Sequence, residues 1–318
     1  MMQAPTIVIA IASALAPQAN TAGPKPGPYP LPTVQSVASS GGEIVRASFI
    51  DGYGKPAGVV AFMRRPGEEP RVEVRTAAGG TLATAVPLDT WERVRSAAAL
   101  FDRTLAPVSS ADGLSICLHP WSVSVEAVDP ARSGRPAAIR KAVQSTCDTG
   151  LAVPLAFNLA REAVAALPAC ALLDARQYRN DIARLAGCTL LEGDRAAAAL
   201  ARNAYGSDWF ASTRGDRTEY AIRHLFFDQA RIDWAGTTAE GSAAAAKIWS
   251  SQLENASVFP RHIIGETADR VKIEGVIVRF TGNRSTQAPV TMVWTSENGF
   301  GFRVRSATVG AEEPAGGS

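Results

Sequence analysis

Three histidines occur among 318 residues, and the chain lacks the signatures of the commonest catalytic families. There is no G-x-S-x-G, no H-E-x-x-H, no P-loop and no G-x-G-x-x-G. These absences argue against the usual serine hydrolases, zinc proteases and dinucleotide- or nucleoside-triphosphate-binding enzymes. No C-x-x-C exists, which argues against a zinc ribbon or a thioredoxin-type role. Charged residues make up only 19% of the chain, with a net charge of +2, and no basic stripe interleaves with aromatics. A nucleic-acid partner is therefore not expected. No apolar run approaches the roughly 20 residues that a transmembrane helix requires. No metal or cofactor site is expected.

What is present begins with a short apolar run, Ile7 to Ala16, followed by small residues. It reads as an export signal over residues 1–22, although the preceding "MMQAPT" carries no Lys or Arg. The expected location is periplasmic or secreted. The four cysteines Cys117, Cys147, Cys170 and Cys188 fit an oxidising compartment. Leu155–Leu167 and Ala171–Ala186 read as two helices. A helix between Cys170 and Cys188 would hold them roughly 25 Å apart at 1.5 Å per residue. A disulfide needs Cα atoms within about 7 Å. This reasoning leaves the pairing Cys147–Cys188 with Cys117–Cys170, stapling a helical hairpin over residues 151–190.

Residues 23–42, rich in Pro, Gly and Ser, read as an extended linker. Residues 43–150 alternate short β-rich segments with turn signals around one amphipathic helix, which suggests a small α+β domain. Further on, a helix is expected from about Asp194, another over Thr218–Asp228, and a third capped by Ser242. Period-two strands follow, with Gly275 at a bend and Asn298-Gly299 at a type I′ hairpin turn. Phe300, Phe302 and Val304 fall on one face of the last strand, Arg303 and Arg305 on the other. The tail, residues 311–318, reads as disordered. The fold class is α+β.

The stretch "RGDRTEYAIRHLFFDQARIDWAGTTAEGSAAAAKIW" resembles the middle of a nuclear transport factor 2-like domain. This is the cone shared with SnoaL-type polyketide cyclases and ketosteroid isomerases. Gly215-Asp216, Leu225 to Asp228, Ala230 to Trp234, Gly236 and Gly241-Ser242 occupy the family's characteristic places. The later strands are similar as well, so the resemblance covers residues 192–310. It implies helices wrapped by a curved antiparallel sheet around an apolar cavity. In the isomerase members a carboxylate base follows the short strand, but here that position falls on Trp234. Asp233 is one residue away, on the opposite face of a strand.

Ligand-pocket candidates are Tyr220, Trp234, Trp249, Phe259, His262 and Trp294. His262 and Asp233 are the catalytic candidates, and His224 with Asp228 form an i,i+4 pair if they share a helix. The expectation is an exported, non-catalytic protein binding a small apolar ligand or a protein partner. One alternative is a cyclase, isomerase or dehydratase using His262 with a nearby acid. The other is an envelope scaffold forming a homodimer through the C-terminal sheet.

Overall fold

The computed structural model describes residues 31–77, 80–103, 119–131, 136–210, 223–253, 256–282, 284–297 and 301–315, with 204–210 described by backbone alone. The export segment 1–22, Cys117, Tyr220 and the Asn298-Gly299 turn lie outside the described residues. The molecule is mixed α+β and is built on two sheets.

The first sheet joins β1 (Glu43–Ile50), β2 (Pro56–Arg64), β3 (Arg71–Thr76), β4 (Thr81–Ala85), β5 (Ser122–Asp129) and β6 (Ala138–Ser145) in the order β4-β3-β2-β1-β5-β6. All its pairings are antiparallel. On one face, Val45, Ala47, Phe49, Val60, Phe62, Val72 and Val125 join the main core. They pack against α2 (Leu88–Ala97) and α3 (Ala152–Ala166), whose Trp91, Val94, Leu155 and Leu159 are buried. On the other face, Ile44, Ala61, Met63 and Val128 form a smaller cluster under α1 (Val34–Ser39). The expected extended linker therefore ends in a helix, because Thr33 caps Ser36 and turns Val34 and Val37 onto the sheet.

The helical stretch after α3 departs from expectation. Ala171–Ala186 is not one helix. It divides into α4 (Pro168–Ala171), a 3₁₀ turn (Ala175–Gln177) and α5 (Asp181–Cys188). Two local caps cause the break. Asp174 Oδ1 accepts from Arg176 N, and Asn180 Oδ1 accepts from Ala183 N, so each restarts the backbone in a new direction. The Arg184 guanidinium then donates to the carbonyls of Cys170 and Leu173, tying α5 back to the end of α4. Cys170 and Cys188 come to a Cα separation of 4.9 Å and form a disulfide. This overturns the pairings Cys147–Cys188 and Cys117–Cys170, which assumed an unbroken helix. Cys147 is also disulfide-bonded, to a partner outside the described residues.

The second sheet carries β7 (Leu191–Gly193), β8 (Phe226–Trp234), β9 (Thr237–Glu240), β10 (Ala256–Thr267), β11 (Arg270–Thr281), β12 (Arg284–Ser296), β13 (Phe302–Val309) and β14 (Glu313–Pro314). The order is β7-β10-β11-β12-β13-β8-β9, with β14 on β12. Its inner face packs on α6 (Arg195–Phe210) and α7 (Ser242–Gln252). Asp194 starts α6, its Oδ1 accepting from Ala196 N and Ala197 N, as the sequence suggests. Gly275 lies where β10 bulges at Arg261. A Cβ at Gly275 would collide with the Phe259 carbonyl, so only glycine permits that crossing.

Two expectations for this half need correction. The helix expected to run to Asp228 is replaced over Phe226–Trp234 by β8, which pairs in parallel with β13. Phe226 and Phe227 are thus strand residues, and His224 and Asp228 share no helix. The tail does not leave the fold at residue 311: Glu312 accepts from Arg279 and Thr286, and β14 pairs with Thr286 and Gln287. The core is continuous between the two sheets. At the junction the buried hydroxyls of Thr76 and Thr189 are 2.8 Å apart.

Candidate functional site

Four aromatic rings occupy the inner side of the second sheet. Trp234 ends β8 on the same face as Ala230 and Ile232, all buried. The α7 side chain Trp249, 1% exposed, meets Trp234 edge-on at 5.6 Å and Phe226 edge-on at 6.1 Å. Trp294 is fully buried on the inner face of β12, in line with Met292 and Val290. Three of the expected pocket residues thus belong to the core of the cone.

The other expected residues lie elsewhere. Phe259 is on the outer face of β10 and 45% exposed, because its parity is opposite to that of the buried Val258. Asp233 is a turn-former. Its Oδ1 accepts from Gly236 N at 3.0 Å and closes the two-residue β8–β9 turn, where Ala235 (φ 50°) and Gly236 (φ 89°) both take left-handed backbone. His262 also faces outward, next to the fully buried, inward Ile263. Its Nδ1 lies 2.7 Å from Glu192 Oε1, with both side chains about half exposed. Glu274 is its register partner on β11.

This outer cluster differs chemically from a buried acid–base dyad. The Lys272 ammonium donates to Glu274 and holds that carboxyl below its ordinary value, while Lys272 is itself raised. Glu192, His262, Glu274 and Lys272 lie together on the outer face across three strands, with His262 hydrogen-bonded to Glu192 and Lys272 paired with Glu274. His262 and Asp233 are not brought together: one pairs with Glu192, the other with its own turn. Among the described residues no group of three His, Cys, Asp or Glu side chains is placed to hold a metal ion.

One feature escaped sequence reasoning. A cleft of about 230 Å³ opens at the end of the first sheet, lined by Val45, Trp91, Arg95, Ala98, Asp129 and Arg140 among others. Arg140 on β6 is its fixed point. Its guanidinium donates to Asp129 at 2.9 Å, to Asp102 at 3.0 Å and to the Ala98 carbonyl beyond α2 at 2.9 Å, and it stacks 4.9 Å from the Phe101 ring. Those partners come from segments about 10 to 40 residues away, and no local spacing announces them.

No family model matches the chain, and no curated protein does. Solved structures do resemble about 30% of the chain. A nuclear transport factor 2-like protein of unknown function from Shewanella oneidensis is 8% identical, with 30% of this chain and 84% of that chain covered and a TM-score of 0.27. A hypothetical protein with a ketosteroid isomerase-like fold from Catenulispora acidiphila, in complex with trimethylamine, is 18% identical over 33% of this chain and 82% of that one, at 0.26. A polyketide cyclase-like protein from Sinorhizobium meliloti, so described by similarity, is 17% identical over 29% and 81%, at 0.23.

Proposed function

We propose that this chain is an exported, non-catalytic binding protein in which the C-terminal cone is a rigid scaffold and the outer face of its sheet joins two copies. The observation that carries the reading is the contrast between the two faces. Inside, Trp234 stands where the resemblance to isomerases implies a base, and its ring is packed on Trp249. Outside, Phe259, Val276 and Pro289 lie in register across β10, β11 and β12, and Phe280 is 51% exposed nearby. An apolar row of this kind on a soluble surface marks an interaction site. The flanking Lys272–Glu274 pair carries both signs, so a two-fold related copy meets no like-charge barrier. The Cys170–Cys188 bond supports an oxidising compartment, and no helix among the described residues is long and apolar enough to cross a membrane.

The test is light scattering coupled to size exclusion on the mature chain and on Val276→Lys. The expected result is a dimer for the parent and a folded monomer, by circular dichroism, for the variant. A parent that runs as a monomer, or a variant that remains a dimer, refutes the proposal. A parent that is monomeric and carries an apolar small molecule replaces it with the ligand reading.

A further inference from the structure

Separate from the apolar row, the outer face holds a second feature at the β8–β13 end of the sheet. Phe227, on this outer side, is 5% exposed, and two guanidinium groups lie over its ring. The Arg303 Cζ is 5.2 Å and the Arg305 Cζ 5.9 Å from the centre of the same ring. Residues two apart share one face of a strand, and side chains as long as arginine reach the same ring on the neighbouring strand. A bulge also lies here. Val304 pairs with Trp294 and Phe226, while Ser306 pairs with Val293 and Arg231, leaving Arg305 with no register partner on either side. Bulges re-aim side chains.

Both arginines are exposed, and neither forms an ion pair among the described residues. Among the described residues, the Arg305 guanidinium donates to the Gln229 amide oxygen at 3.5 Å. Asp228, the acid next to the ring in sequence, lies 3.4 Å from the Ser242 hydroxyl. Two other arginines on this sheet are neutralised: Arg270 pairs with Glu266, and Arg279 with Glu312. Stacking on a ring fixes the plane of a guanidinium and leaves its edge donors free, the arrangement that suits bidentate binding of an oxyanion.

We propose that Arg303, Phe227 and Arg305 form an oxyanion clamp that binds a carboxylate or phosphate group. Phe227 is a positioning residue, and the two arginines supply the charge and the donors. The clamp lies about 20 Å along the strands from the Phe259 row, by the six-residue offset between Pro289 and Thr295, so it is independent of whether the chain dimerises.

The test uses nitrogen-15-labelled full mature chain and follows the arginine Nε–Hε signals during titration with inorganic phosphate and, separately, with glutarate. Sodium chloride at matched ionic strength is the control. The expected result is a saturable shift at Arg303 and Arg305 with at least one probe, and no comparable shift with chloride. Arg303→Gln and Arg305→Gln, both at exposed positions, should each weaken binding about 10-fold, the effect of losing one charge-assisted pair. Phe227→Leu, which keeps both charges, should weaken it several-fold, an effect that bulk charge does not give. Saturation by phosphate alone assigns a phosphoryl group, by glutarate alone a carboxylate, and by both a general oxyanion site. Shifts no larger than with chloride, or binding unchanged in the Arg303→Gln/Arg305→Gln double variant, overturn the proposal.

Discussion

Trp249→Ala separates a packed cone from a ligand chamber. The indole is 1% exposed and makes two edge-on contacts, with Trp234 at 5.6 Å and Phe226 at 6.1 Å. Truncating a buried Trp costs about 3–5 kcal/mol through lost transfer energy and the cavity left behind. Each edge-to-face pair contributes roughly 0.5–1.5 kcal/mol beyond burial. These terms overlap, and a total loss of about 5 kcal/mol follows. A ring that merely lined an open chamber would have few partners on one side, and its removal would cost about 1–2 kcal/mol. The assay is urea unfolding followed by far-ultraviolet circular dichroism, since tryptophan fluorescence is itself altered. Trp249→Phe keeps a ring in contact with both neighbours and should lose less than half as much. A loss below about 2 kcal/mol for the alanine variant, at unchanged m-value, refutes a packed interior.

Other consequences are as direct. Arg140→Ala removes the donor to the Ala98 carbonyl and strands Asp129 and Asp102, and should cost about 2–3 kcal/mol in the same unfolding assay. Arg140→Lys should recover less than half of that, because the planar fork is lost. Ala235→Gly should stabilise by about 0.5–1 kcal/mol, since Ala235 sits at φ 50° and glycine takes that conformation without strain. A Cys170→Ala/Cys188→Ala double variant should lose about 3 kcal/mol for a loop of 18 residues, and non-reducing peptide mapping should recover the 170–188 link. Burial works against ionisation of Glu312, but hydrogen bonds from Thr286 and Arg279 outweigh it and hold the carboxyl below its ordinary 4.5. A depressed carboxyl contributes stability above its unfolded value that is lost as pH falls through the folded one. The protection factor of the Glu313 amide, corrected for the intrinsic pH dependence of exchange, should therefore fall below about pH 4.5, and Glu312→Gln should remove that fall.

The period-two strands from Val271 to Val309 and the Asp194 cap were legible because each depends on near neighbours. The α+β class follows from the same signals. The short strand ending at Trp234 was legible too. What failed has physical causes. Asp174 and Asn180 are both good N-cap residues, yet "ALLDARQYRND" also carries helical periodicity. Side-chain capping won over propensity, and with the helix broken the cysteine geometry changed. "LFFD" fits a helix end or a strand equally. Its parallel pairing with β13, some 75 residues later, decided the matter, and no local pattern encodes that. His262 was placed inside by the resemblance, and one extra residue at Arg261 shifts every face after it, while Phe259, ahead of the bulge, simply has the parity opposite to the buried Val258. That Arg303 and Arg305 share a face was legible from the period of two, but the Phe227 ring they meet comes from a strand some 75 residues earlier.

Native mass spectrometry of the mature chain, purified from its own host without detergent, tests the central claim most directly. A non-catalytic scaffold that self-associates through the outer sheet face predicts a species of twice the chain mass. It also predicts no retained small molecule, and a shift to single chains in Val276→Lys. A monomer carrying a stoichiometric apolar adduct, released only on unfolding, would contradict it.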